Sequence, residues 1–85
     1  MTQFLIERNF ANQLEVTKDG VAGLKQINDE EGCKWLFSFL SADKKKTYCL
    51  YEAESAEAIR TAARRANIPA DSIIEVSDLR PEMFV

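Results

Sequence analysis

Three observations predict an α+β fold of order strand–helix–strand–strand–helix–strand. Side chains alternate with a period of two, or run apolar without breakers, in "FLIERNF", "CKWLFSFL", "TYCLYEA" and "SIIEVSDL". The spacing turns helical in two other segments, one from Thr17 to Glu31 and one that ends at Asn67. A cap or breaker residue stands where each helix begins and ends. The order βαββαβ is the split-βαβ pattern of the ferredoxin-like fold. It implies a four-stranded antiparallel sheet with two helices on one face, occupying residues 1–85 as a single domain.

The first strand, Phe4–Phe10, places Phe4, Ile6 and Phe10 on one side and Leu5, Glu7 and Asn9 on the other. Thr17 is suited to cap the first helix, with Asp19 in its first turn. Val21, Leu24 and Ile27 form one apolar stripe, weakened by Gly20 and Gly23, and Gly32 is a fitting stop. Cys33–Leu40 and Thr47–Ala53 form a hairpin around the turn Ser41–Lys46. Strict alternation sets Cys33, Trp35, Phe37 and Phe39 on one face of the first arm, and Lys34, Leu36, Ser38 and Leu40 on the other. Ser55 caps the second helix, whose stripe of Ala56, Ile59, Ala62, Ala63 and Ala66 is thin enough to lie close on a sheet. Asn67 suits a left-handed C-terminal cap and Pro69 prevents continuation. The last strand runs Ser72–Leu79, and the tail "RPEMFV" ends apolar at Val85.

A chain of 85 residues buries only about 60–65% of its unfolded surface, so its own core is marginal. The middle hairpin nevertheless offers apolar side chains on both faces, and the helices cover one of them. A bare apolar sheet face marks an interaction surface, and a two-fold homodimer, forming an α/β sandwich or barrel, is its simplest closure. A net charge of −3 argues against nucleic acid as a partner. The start "MTQFLIERNF" has no basic region, long apolar run or small-residue cleavage site, and no stretch is apolar enough for a membrane span. Cytoplasmic placement with reduced cysteines is the expectation.

The chain contains no histidine, which removes the usual general base at neutral pH, the commonest metal ligand and every Ser-His-Asp or Cys-His arrangement. Phosphate-loop, CxxC and HExxH patterns are absent too. A hairpin centred on Asp43–Lys44 sets Ser38 opposite Cys49 and Cys33 opposite Glu54. The two cysteines are then about five residues, or roughly 16 Å, apart along the strands. That is beyond the ~7 Å a disulfide spans, so both read as buried free thiols.

Candidate chemistry therefore rests on few groups. Glu7 lies among apolar neighbours. It is either the exposed edge of a half-buried strand or a desolvated carboxylate on the bare face, able to act as a base or to anchor a ligand. Tyr51 carries a polar tip on an apolar body. Glu7 and Tyr51 are the catalytic candidates, and Glu7, Trp35, Ser38, Cys49 and Tyr51 the ligand-binding set on the open sheet face. No metal site and no cofactor are indicated.

The motifs Glu7-Arg8, Gly32-x-x-Trp35, Ser38, Asp43-x-x-Lys46-Thr47-x-Cys49-x-Tyr51-Glu52-Ala53, Ala58-Ile59-Arg60 and Pro69-Ala70-Asp71 together resemble a family of small bacterial ferredoxin-like proteins that includes a nickel-responsive protein. The resemblance spans nearly the whole chain except the first helix, and it implies a ferredoxin-like dimer. Many members of that family carry a histidine between the Trp and the Ser, where this chain has Phe37, or in the second helix, where "IRTAARR" has none. The departure weakens the nickel site that the family name implies. The leading expectation is a homodimeric module for a small apolar or amphipathic ligand. The alternatives are a cofactor-free isomerase or monooxygenase with Glu7 as base, by analogy of fold, and a metal-responsive protein.

Overall fold

The computed structural model describes residues 1–84; the apolar chain end expected at Val85 lies outside them. Four strands, β1 (Thr2–Asn9), β2 (Lys34–Leu40), β3 (Lys46–Ala53) and β4 (Ser72–Val76), form one sheet in the order β2-β3-β1-β4, with every neighbouring pair antiparallel. Helices α1 (Lys18–Glu30) and α2 (Ala56–Ala66) complete the βαββαβ order, and Pro81–Phe84 adds a 3-10 turn. The ferredoxin-like reading therefore holds. Only β4 differs appreciably, ending at Val76 instead of Leu79.

Local chemistry sets the boundaries. The Thr17 hydroxyl accepts from Gly20 N–H at 3.0 Å, and the Ser55 hydroxyl from Ala58 N–H at 3.3 Å, each satisfying a donor that the helix start leaves free. Asn67 ends α2 with φ 55° and ψ 44°, the left-handed conformation asparagine tolerates. Gly32, with φ +72°, makes the turn from α1 into β2 that a side chain would strain. Arg65 on α2 ties the two helices at their ends, pairing with Glu30 at 2.6 Å and Glu31 at 2.8 Å.

The core lies between α2 and the centre of the sheet. Phe4, Ile6, Cys49, Tyr51 and Ala53 face Ile59 and Ala62, and the small side chains of α2 let the helix lie close. Helix α1 is different. Val21, Leu24 and Ile27 are only half-buried, and Asn28 is its one fully buried residue among those described. The apolar stripe of α1 thus faces the sheet without closing on it, and that gap creates the candidate site.

One irregularity corrects the sequence reading of β2. Lys34 pairs with Glu52 and Trp35 with Tyr51, but Phe37 pairs with Leu50 and Ser38 with Cys49, so a bulge falls between Trp35 and Phe37. The expected Ser38–Cys49 pairing is present. The expected alternation before it is not, because the extra residue turns Trp35 onto the face of Ser38 and Leu40, away from Phe37 and Phe39.

Candidate functional site, an apolar cavity under helix α1

Strand parity sorts the sheet into two faces. Three rows cross it on the helix side: Phe4–Tyr51–Trp35, Ile6–Cys49–Ser38 and Arg8–Thr47–Leu40. Between these rows, α1 and the segment leading into α1 lies a cavity of about 510 Å³. Its floor is Arg8, Thr47, Cys49, Tyr51, Ser38 and Trp35; its roof is Val21, Leu24 and Ile27, with Phe10, Leu14 and Val16 at the side. The volume lies within the roughly 300–1,000 Å³ range of small-molecule sites.

Four of the five residues expected to bind ligand, Trp35, Ser38, Cys49 and Tyr51, meet at this floor. They do so on the helix side of the sheet, not on the open face. Glu7 is separated from them. It pairs with Tyr48 on β3 and Ser72 on β4, and so stands on the opposite face. There its carboxylate is 3.5 Å from Lys46 Nζ and accepts from Asn9 Nδ2 at 3.2 Å, in a half-exposed setting. The reason is the period of two: Glu7 shares its side with Leu5 and Asn9, whereas Phe4, Ile6 and Arg8 point inward.

The polar groups on the cavity floor are held by specific bonds, while the exposed Glu15, Thr17 and Asp19 also line the cavity. The Trp35 indole N–H donates to Ser38 Oγ at 2.8 Å, a contact the bulge makes possible. Tyr51 is 2% exposed, and its hydroxyl accepts from Asn28 Nδ2 at 3.2 Å. Burial pushes its phenol above the usual range, opposed by the Arg8 charge and the Asn28 bond. Tyr51 therefore stays protonated at neutral pH. Cys49 Sγ donates to Thr47 Oγ1 at 3.5 Å. Cys33 and Cys49 are both buried free thiols, and burial, with Glu31 adding to it, raises the Cys33 thiol further.

Arg8 is the buried cavity residue that the expected ligand-binding set leaves out. It is 4% exposed, donates from Nη1 to the Pro69 carbonyl at 2.6 Å, and holds its guanidinium carbon 5.7 Å from the centroid of the Tyr51 ring. Its signal was present: Arg8 follows Phe4 and Ile6 on the inward parity of β1. The chain has no histidine, and among the described residues no three His, Cys, Asp or Glu side chains come together.

The open face carries its own pattern. Ile74, Leu5, Leu50 and Phe37 form one apolar row across all four strands, and Tyr48 with Phe39 lies beside it. Phe37 and Phe39 meet edge to face with centroids 5.5 Å apart, and both are more than half exposed.

The family model described as nickel responsive protein SCO4226-like matches residues 4–76. The chain belongs to that family. The crystal structure of SCO4226 from Streptomyces coelicolor A3(2) superposes with a TM-score of 0.69 at 24% identity, covering 92% of this chain and 99% of that one, a likeness that shows the shared fold. Among curated proteins none matches. No helix of the described residues is long and apolar enough to cross a membrane.

Proposed function

We propose that this SCO4226-like protein is a small-ligand-binding module, a cytoplasmic homodimer that receives an apolar or amphipathic molecule in the cavity beneath α1. The observation that carries this reading is the cavity itself: about 510 Å³, with walls of aliphatic and aromatic side chains and a few fixed polar groups on one side. The self-association part rests on the open sheet face, where the row from Ile74 to Phe37 leaves an apolar strip uncovered.

The alternatives draw less support. The base named for an enzyme, Glu7, lies on the other face, Tyr51 holds its proton, and the carboxylates that do line the cavity, Glu15 and Asp19, are exposed to solvent. The nickel named in the family description does not fit this donor set: imidazole is absent, and the described carboxylates and thiols do not converge.

Trp35 is the single tryptophan and stands on the cavity floor. Titration with the neutral fluorophore N-phenyl-1-naphthylamine, read as loss of Trp35 emission by energy transfer, tests the reading. Saturable quenching at a probe-to-chain ratio near one is expected. A linear response without saturation would remove the cavity as a binding site.

A further inference from the structure

We infer that the ligand is an amphipathic monoanion of the carboxylate class, with its head group on Arg8 and its apolar body under α1. This rests on the reading that the cavity binds a ligand and specifies the chemistry of the same site.

A guanidinium is protonated at every physiological pH and carries five N–H donors in a planar fork. Buried charges are ordinarily paired with an opposite charge. Arg8 is 4% exposed, yet none of the ion pairs among the described residues includes it. Its partners are a peptide carbonyl, that of Pro69, and the face of Tyr51. Both are attractive to a cation, and neither neutralises it. The Pro69 bond at 2.6 Å fixes the fork beside the cavity with donors to spare.

The neighbours complete a head-group site. Thr47 sits directly across from Arg8 in the β1–β3 register, and Ser38 lies one row along and two strands over on β2, across from Cys49. Ser38 Oγ accepts from Trp35 and Thr47 Oγ1 accepts from Cys49, so each hydroxyl proton is free to be donated. A guanidinium fork with the Thr47 hydroxyl on the neighbouring strand, in an apolar chamber, matches a carboxylate, which takes paired N–H bonds and a further donor.

The charge is limited to one. A single buried cation balances a monoanion, and a dianionic phosphate would leave a second charge in an apolar chamber. Glu15 and Asp19, exposed in the segment leading into α1 and in its first turn, also line the cavity and oppose further negative charge. Beyond the head group the walls are Leu14, Val21, Leu24, Ile27 and Leu40, which ask for an aliphatic or aromatic body.

Decanoate, 1-decanol and decylamine have the same chain and differ in head group. Each is used to displace N-phenyl-1-naphthylamine from the native protein and from the Arg8→Met and Arg8→Lys variants, with folding checked by far-ultraviolet circular dichroism. Decanoate is expected to displace the probe at a concentration about tenfold or more below that of decanol, the worth of a charge-assisted hydrogen bond. Decylamine is expected to be the weakest. Arg8→Lys keeps a preference for decanoate, and Arg8→Met loses it. Should Arg8→Met not fold, the native protein and Arg8→Lys still decide. Equal displacement by decanoate and decanol, with the probe bound, overturns the anion and leaves the cavity reading standing. Failure of the probe itself to bind overturns both.

Discussion

Trp35 and Ser38 lie three residues apart on β2, yet they face the same side and are joined by an indole N–H to hydroxyl bond of 2.8 Å. A regular strand would place them on opposite faces. The bulge between Trp35 and Phe37 brings them together, and their bond in turn holds the bulge in one conformation. Replacing Ser38 by Ala leaves the indole N–H without its partner in a half-buried position. The expected cost is about 1 kcal/mol, read as a lower urea midpoint with an unchanged slope. Trp35 emission should move to longer wavelength as the ring gains access to water.

Gly23 separates binding from stability. It lies on α1 at the cavity, and a Cβ added there meets nothing within 4 Å. Gly23→Leu should fill part of the chamber and remove a glycine from a helix interior, which stabilises the helix by roughly 0.5–1 kcal/mol. The expected outcome is a higher melting temperature together with weaker binding of N-phenyl-1-naphthylamine. A variant that melts higher and binds as well as the native chain would place the probe elsewhere.

The open face is tested by charge. Phe39 is 64% exposed beside the apolar row, and Lys at that position should leave the monomer fold intact. In the proposed homodimer, two copies packed by their sheets would bring the new charges into an apolar interface, so the native chain should run at twice its own mass by size-exclusion chromatography with light scattering and Phe39→Lys at half that value. An unchanged dimer mass would move the interface to another surface.

Alkaline pH should weaken the fold. Burial raises both the Cys33 thiol and the Tyr51 phenol above their usual values. A raised acid pKa means that the folded chain keeps its proton after the unfolded chain has lost it, so the contribution is intact below the unfolded pKa and is lost as pH rises towards the folded one. Stability should therefore hold level through neutral pH, fall from about pH 8.5 as unfolded cysteine ionises, and fall further above about pH 10 with tyrosine. Urea midpoints between pH 7 and 10.5 check this. Slow reaction of Cys33 with a thiol reagent in native buffer, against rapid reaction in urea, checks the same burial.

The sequence discloses the fold because its signals are local and agree. Thr17, Ser55, Gly32 and Asn67 each mark a helix boundary for a stated backbone reason, and they stand where the structure uses them. The site was legible only in part. Trp35, Ser38, Cys49 and Tyr51 were recognisable as a set by type, but their placement on the open face was an error of parity. Nothing local in "CKWLFSFL" announces the bulge, because a bulge is fixed by what the strand pairs with. Arg8 stood in the family motif but outside the expected ligand-binding set, because its burial is not a local property of the strand. Its burial depends on Pro69, 61 residues away, which only the fold brings close. The cavity itself is the distance by which α1 stands off the sheet, and an apolar stripe looks the same whether it closes on a core or on a ligand.

The central claim is that ligand enters on the helix side of the sheet. Amide and indole ¹H–¹⁵N correlation spectra, recorded while decanoate is added to the native protein, test it most directly. The Trp35 indole and the amides of Arg8, Ser38, Cys49 and Leu24 should shift together and saturate, while Glu7, Phe37, Phe39 and Tyr48 on the other face stay in place. Shifts confined to Glu7, Phe37, Phe39 and Tyr48 would contradict it and return the ligand to the open face.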